Sequence, residues 1–236
     1  MPEIKLVGTS HIAKESIEKV RRVIASSKPD IVAIELDRKR FLALGQKQQR
    51  FSLYSIGRVG LKGFIFALIG SWASKKLGRI VGVEPGDEMR AAVASAKQAG
   101  SKIALIDQDI ELTLQRFSQT LTWKERLQIA KDIVRTIVFR KKEMQRLGID
   151  KLDLTKVPPD QLIEKLMGMM RTNYPNIYNV LVEERNKVMA KRLQALASKY
   201  DSIVAVVGAG HISGMKALLS APAKEAIVRE KKAPDS

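Results

Sequence analysis

Residues 4–12 read IKLVGTSHI and residues 204–212 read VAVVGAGHI. Each stretch is a hydrophobic, strand-like run followed by Gly-x-x-His and an apolar residue. Glycine lets the backbone turn sharply as it leaves a strand, so each histidine is expected near the carboxyl end of its strand. The two copies use both histidines of the chain, His11 and His211. This repetition favours a functional role for the pair over two unrelated structural roles.

Short apolar runs rich in Val and Ile alternate with longer helical patterns along the rest of the chain. Such alternation predicts an α/β fold with a central, largely parallel or mixed sheet flanked by helices. The runs are almost continuously hydrophobic, which is typical of strands covered on both faces. The predicted strands are Ile4–Val7, Ile31–Ile34, Ile80–Val83, Ile103–Ile106 and Ile203–Val207.

The 236 residues suit one domain, which we expect to span residues 1–221. From Glu111 to Met170 the strand pattern disappears, and we predict a helical insert or lid over about residues 111–172, broken near Gly148 and at Pro158-Pro159. A long helix, from about Asn176 to Lys199, leads back into the last strand. Residues 222–236 form a basic tail that we expect to be flexible.

Composition limits the classes of function. The chain has no cysteine, which excludes disulfides, thiolate metal sites and cysteine nucleophiles. Its net charge of +17 favours anionic partners, although lysines and arginines on helix faces can also serve only as a solvated surface. The basic residues form no dense run and no aromatic-rich ribonucleoprotein motif accompanies them, which argues against nucleic acid as a partner.

The most apolar stretch runs from residue 59 to residue 73 and has lysines and an arginine at its ends. It is shorter than the ~20 residues that a membrane-spanning helix needs. We therefore expect a helix at residues 60–75 that lies on an anionic membrane surface or forms a homodimer contact, with an ordinary buried helix as the alternative. The N-terminus has no secretory signal pattern. The prediction is a cytoplasmic domain, which a longer protein could anchor to a membrane.

Acidic residues follow three of the predicted strands: Glu35, Glu84 and Asp107. The carboxyl ends of parallel strands share one edge of the sheet, where open α/β folds bind ligands. For Glu35 we favour a functional role, and for the other two a helix cap or an ion pair. His11, His211 and Glu35 would suit zinc, manganese or cobalt with an open position for water. A metal-free general base, oriented by the carboxylate and assisted by an arginine, uses the same residues.

Six ordered blocks of the chain resemble the TraB/PrgY family in sequence and spacing. They extend over essentially the whole chain: GTSH at 8–11, VAIELD at 32–37 with Arg40, GVEPGDEM at 82–89, DQDI at 107–110 with Thr113 and Arg116, ERNKVMA at 184–190 and VGAGH at 207–211.

This resemblance implies a superfamily shared with the Tiki proteases, the erythromycin esterases and the ChaN/GumN-like proteins. Paired Gly-x-x-His motifs and a glutamate form the active site there, which corresponds to His11, His211 and Glu35. The site neighbours that the resemblance implies are Arg40, Glu184, Arg185 and Asn186. Tiki relatives are described as metal-dependent peptidases, and TraB and PrgY are associated with the shutdown of peptide pheromone signalling. A metal-dependent hydrolase of peptides is therefore predicted. The alternative is a non-catalytic regulator at the membrane surface that binds peptide or haem.

Overall fold

The computed structural model describes residues 2–10, 14–44, 86–139 and 159–220. Its strands form one sheet: β1 (Glu3–Thr9), β2 (Ile31–Ile34), β3 (Lys102–Leu105) and β4 (Ser202–Gly208). All neighbouring strands are parallel, in the order β1-β4-β2-β3. The α/β prediction is confirmed, and four predicted strands are found to within two residues at each end. The fifth, Ile80–Val83, lies outside the described residues.

Helices accompany the strands along the described part of the chain. They are α1 (Lys14–Ser27), α2 (Arg38–Ala43), α3 (Asp87–Gln98), α4 (Ile110–Thr120), α5 (Trp123–Val138), α6 (Asp160–Asn173), α7 (Pro175–Tyr178), α8 (Glu184–Ala197) and α9 (Ile212–Ser220).

Each face of the sheet is covered by its own pair of helices, because successive side chains of a strand point to opposite faces. Val32 and Ile34 of β2 belong to a hydrophobic cluster with residues of α1 and α3. Ile31 and Ala33 belong to a second cluster, with Met189 of α8 and residues of α9. The core around the sheet is thus two apolar layers with a fully buried β2 between them.

The described part of the predicted helical insert contains α4, α5 and α6, and no strand. A separate small core joins α4 to the helices that precede α8, through Phe117, Ile177 and Val180. Pro159 stands at the N-cap of α6, at the predicted Pro158-Pro159 break. Gly148 lies outside the described residues. The role of this region as a lid stays a prediction.

A single helix was expected from about Asn176 to Lys199, and the chain is continuously helical from Pro175 to Ala197. Between α7 and α8 the chain forms a π-helical turn, Asn179–Glu183, in which the N–H of Glu184 bonds to the carbonyl of Asn179. The wider turn inserts one residue and changes the direction in which the first residues of α8 point.

Two predicted segments, the helix at residues 60–75 and the tail at 222–236, lie outside the described residues. Among the helices of the described ranges, none is both long enough and apolar enough to cross a membrane.

Candidate functional site

Glu35 follows β2 directly, at the carboxyl edge of the sheet. It lies on the face that Ala33 shares with α8 and α9, since side chains two residues apart point the same way. Its backbone N–H continues the ladder to the carbonyl of Val206 at 3.1 Å. The backbone N–H of Gly208, at the end of β4, donates to its Oε2 at 2.5 Å. Glu35 is thereby fixed between the two central strands and is only 5% exposed.

His211 reaches the same point from β4. A short 3-10 turn, Ala209–His211, follows the strand and carries the imidazole back over the sheet edge. Nε2 of His211 lies 3.3 Å from Oε1 of Glu35, and Nδ1 lies 2.7 Å from Oδ1 of Asn186. The ring is buried, and both of its nitrogens contact protein groups.

Arg185 joins Glu35 to a second carboxylate. Its Nη2 donates to Oε1 of Glu35 and, at 2.6 Å, to Oδ2 of Asp107. Its Nε donates to Oδ1 of Asp107 at 3.0 Å, and its Nη1 to the carbonyl of Leu181 at 3.2 Å. Since the guanidinium is planar, these bonds fix the plane as well as the position of the charge.

Asp107, which follows β3, is completely buried and collects several donors. Besides Arg185, it accepts from Nη2 of Arg40 at 2.5 Å and from the N–H of Gln108 at 2.7 Å. Arg192 donates to its backbone carbonyl at 2.5 Å. Asp107 is therefore the point at which α2 and α8 are tied to the sheet edge.

The electrostatics follow from these contacts. Burial alone would raise the pKa of Glu35, but His211, the Arg185 guanidinium and the N–H of Gly208 together hold that pKa well below its usual range. Burial would lower the pKa of Arg185, and the carboxylates of Glu35 and Asp107 raise it instead. The pKa of Arg40 is raised against burial in the same way. Glu35 is consequently ionised at neutral pH, where it accepts hydrogen bonds and is a weak base.

The predicted site residues do not all meet. Glu35, His211, Arg185 and Asn186 form one contact network, and Arg40 joins it through Asp107. Glu184 instead pairs with Arg116 at 2.6 Å, on the more exposed side of α8. Predicted residues outside the described ranges are His11 and Glu84.

The position of His11 in the chain still bears on the site. Thr9 pairs with Gly208 in the register of β1 and β4, so the two strands that carry the Gly-x-x-His motifs end at neighbouring positions of the sheet. The prediction that the two imidazoles come together stays a prediction.

A metal ion at this edge of the sheet would need several nitrogen or oxygen donors close together. Among the described residues no three metal-ligating side chains gather. Glu35 and His211 supply one oxygen and one nitrogen 3.3 Å apart. Two atoms that are each about 2.0–2.1 Å from a tetrahedral zinc ion lie about 3.3 Å apart. This donor pair therefore fits a shared cation, provided that Arg185 shares or yields Oε1 and that His11 is the third donor.

Sequence reasoning underestimated Asp107 and missed Asp37. Asp107 was interpreted as a cap or an ion pair, and its ion pairs turn out to link Arg40 to Arg185. Asp37 caps α2 and binds Nε of Arg40 at 2.6 Å. The available signal was position, because an acid directly after an apolar strand falls at the edge where the other site residues lie.

Comparison with known proteins gives a consistent family. The sequence profile of the TraB/PrgY/gumN family matches residues 2–228. An uncharacterized protein of Methanocaldococcus jannaschii is 38% identical over 217 residues, which are 90% of this chain and 52% of that protein. The TraB domain-containing protein of Homo sapiens is 23% identical over 240 residues, covering 90% of this chain and 61% of that protein. This chain thus spans about half to three fifths of the length of these relatives, and it belongs to the TraB/PrgY/gumN family.

Proposed function

We propose that this domain is a metal-dependent hydrolase that acts on peptides. The observation that carries the proposal is the buried pair of Glu35 Oε1 and His211 Nε2, 3.3 Å apart at the carboxyl edge of a parallel sheet. An imidazole nitrogen and a carboxylate oxygen at this spacing are the donors that zinc, manganese and cobalt accept. The peptide class comes from the family resemblance.

In this proposal Glu35, His211 and His11 hold the metal ion. A divalent ion bound there would supply a Lewis acid and lower the pKa of a bound water. The residues of the chain do the rest. Arg185, 16% exposed, presents a fixed positive charge beside Glu35, where negative charge would develop on the carbonyl oxygen. Asp107 prevents that guanidinium from turning away.

The test combines metal analysis with peptide-library cleavage on the wild type, Glu35→Gln and His211→Ala. Asp30→Asn is the matched control, because Asp30 is a carboxylate at the opposite edge that accepts from the N–H groups of Asp201 and Ser202. We expect both site variants to lose metal and cleavage by more than the roughly 10–100-fold that a lost outer-shell partner costs. Wild-type protein that neither retains added metal nor cleaves any peptide would refute the proposal.

A second candidate, sequestration of peptide or haem without turnover, is favoured by a different observation. Both oxygens of Glu35 and both ring nitrogens of His211 already contact protein groups. Because these atoms already have protein partners, the site suits a ligand that binds by shape better than it suits a reaction. An iron-porphyrin absorbance band after haem titration, or peptide retained intact on gel filtration, would support it. Cleavage products in the same fractions would exclude it.

The partners beyond the site are proposed from the sequence alone. A helix at residues 60–75 would bind an anionic membrane surface or a second copy of the chain. Flotation with vesicles that contain anionic lipid, and sedimentation across a concentration range, separate the two. Protein that does not float with the vesicles and sediments as a monomer at every concentration would exclude both partners.

A further inference from the structure

The outer face of helix α5 carries large apolar side chains. Trp123, Leu127 and Val138 are 74%, 60% and 62% exposed. At about 100° per residue, these three positions lie within about 60° of one another around the helix axis, so they share one strip along the helix. Single exposed apolar side chains are ordinary on a soluble protein, whereas several large ones aligned on one helix face mark an interaction surface.

Basic side chains border this apolar strip. Lys124, Lys131 and Arg135 are exposed and lie on one side of it, between about 80° and 120° from Trp123 around the axis. On the other side Arg126 lies against the Trp123 ring, 4.6 Å from its centroid. Cations beside a strip of tryptophan and leucine are typical of a helix that lies in the headgroup region of an anionic bilayer.

The two acidic residues of α5 face the protein instead. Glu125 is 4% exposed and accepts from the N–H of Asn176 at 2.9 Å. Asp132 accepts from the hydroxyl of Tyr174. These bonds fasten the inner side of α5 to the segment around α7, which gives the outer strip a fixed orientation. The charges that remain on the outer side of this helix are all positive.

This charge pattern favours a bilayer over a second copy of the chain. In a two-fold dimer the same patch meets itself, which would bring the basic borders of both copies together. Like charges that meet across an interface oppose association. A bilayer with anionic headgroups offers an apolar layer for Trp123 and Leu127 and opposite charges for Lys124 and Lys131 at the same time.

We infer that the outer face of α5 is a docking surface for an anionic lipid bilayer. Trp123, Leu127 and Val138 enter the headgroup region, and Lys124 and Lys131 bind lipid headgroups. This surface is separate from the helix expected at residues 60–75. The inference does not rest on the hydrolase proposed above, because neither the metal ion nor the peptide takes part in it.

Tryptophan fluorescence of the full chain tests the inference. The chain has two tryptophans, so a Trp72→Phe variant leaves Trp123 as the one indole. The probe is a vesicle of phosphatidylcholine and phosphatidylglycerol, with phosphatidylcholine alone as the control. We expect the Trp123 emission to shift to the blue with the anionic vesicles and to be quenched by lipids that are brominated in their acyl chains. Neutral vesicles should have little effect.

Three outcomes would overturn the inference. In the first, the protein floats with anionic vesicles while the Trp123 emission stays unchanged, which would place the contact elsewhere, such as residues 60–75. In the second, the protein does not bind anionic vesicles at all. In the third, the emission of the vesicle-free protein is already that of a buried indole, which would mean that a second copy or another part of the chain covers the strip.

Two pairs of lysines separate this surface from the net charge of the protein. Lys124→Gln combined with Lys131→Gln should weaken binding to anionic vesicles about fivefold for each charge removed. Lys191→Gln combined with Lys216→Gln removes two exposed lysines from α8 and α9 and should weaken it much less. Equal losses in the two double variants would show that binding depends on net charge alone, and would refute the α5 surface.

A matched pair of leucines tests the apolar strip. Leu127 on α5 and Leu42 on α2 are 60% and 64% exposed, so replacing either by serine should leave the protein folded. Leu127→Ser should weaken vesicle binding about tenfold, because a leucine side chain is lost from the apolar contact. Leu42→Ser should bind as the wild type does, and a similar loss in both variants would contradict the assigned surface.

The two proposals fail in distinguishable ways. Wild-type protein that docks on anionic vesicles through α5, but neither binds metal nor cleaves peptide, leaves the docking surface intact and refutes the hydrolase. Metal-dependent cleavage by a protein that does not bind these vesicles does the reverse.

Discussion

Glu35 and Glu125 are both buried glutamates, exposed by 5% and 4%, yet their surroundings differ in kind. Glu125 lies in the helical region and closes a capping box at the start of α5. It accepts from the N–H and hydroxyl of Thr122 at 3.1 and 3.0 Å, and from the N–H of Asn176 at 2.9 Å. Every one of these donors is neutral. Glu35 is held by an arginine, a histidine and a backbone N–H.

Burial alone therefore does not identify a functional acid in this molecule. For both glutamates burial raises the pKa and the hydrogen-bond partners lower it, with a net decrease. The partners of Glu125 fix a helix end and a loop, which is a structural task. Two of the partners of Glu35, Arg185 and His211, are ionisable and come from more than 100 residues away in the chain. Charged partners gathered at a ligand-binding edge are what distinguish the candidate site.

Removing the guanidinium of Arg185 should have the largest effect on stability. Arg185→Met leaves the Glu35 and Asp107 carboxylates buried without the guanidinium between them. We expect the free energy of unfolding to fall by about 3–5 kcal/mol, as for other broken buried pairs. Urea titration measures it, with Arg90→Met as the control, because Arg90 pairs with Asp87 in a more exposed position. Equal losses in the two variants would mean that the buried network is no stronger than a surface pair.

Neutralising the two glutamates one at a time tests the comparison itself. Glu35→Gln removes a charge from charged partners, and we expect a loss of about 2–3 kcal/mol. Glu125→Gln keeps an acceptor oxygen among neutral donors, and we expect about 1 kcal/mol. Both values come from urea unfolding at pH 7. A larger loss for Glu125 would reverse the ranking of the two regions.

Acid should reveal the same difference. The pKa of Glu35 is depressed in the folded chain, so the stability that its carboxylate contributes is fully present above the unfolded pKa of about 4.3. It is lost as pH falls toward the depressed folded value. The stability gap between the wild type and Glu35→Gln should therefore shrink between about pH 5 and pH 3. Unfolding curves at four pH values measure it, and a gap that stays constant would show that folding does not depress the pKa of Glu35.

The sequence was informative where a local pattern determines the structure. Strand β2 is a run of four apolar residues, Ile31–Ile34, and its bounds were predicted correctly because a strand buried on both faces is hydrophobic throughout. Glu35 was singled out because a charge directly after such a run is unusual. The parallel order of the strands then explains why residues far apart in the chain, such as Glu35 and Arg185, meet at one edge.

The sequence was less informative where contacts depend on distant geometry. Glu184 and Arg185 are neighbours in one motif, but they point to different partners, since adjacent helix residues are about 100° apart. One binds Arg116 and the other binds Glu35. The π-helical turn before them has no sequence signature, so the rotation that it imposes could not be predicted. The ion-pair interpretation of Asp107 named the right kind of contact without showing that it joins two arginines.

The smallest effect compares two helical glycines, one in each region. Gly168 lies on α6, beside the small helical core, with nothing within 4 Å of the position of a Cβ. Gly168→Ala should therefore stabilise the protein by about 0.5–1 kcal/mol, because alanine favours the helix and loses less backbone freedom on folding.

At Gly214 the new methyl group would overlap Asn186 Nδ2. Overpacking of this kind costs about 1–3 kcal/mol, which exceeds the gain in helix propensity. We expect a net loss of about 1 kcal/mol for Gly214→Ala. Thermal unfolding of both variants in parallel measures the opposite signs. If Gly214→Ala were as stabilising as Gly168→Ala, α9 would not pack tightly on Asn186 beside the His211 ring.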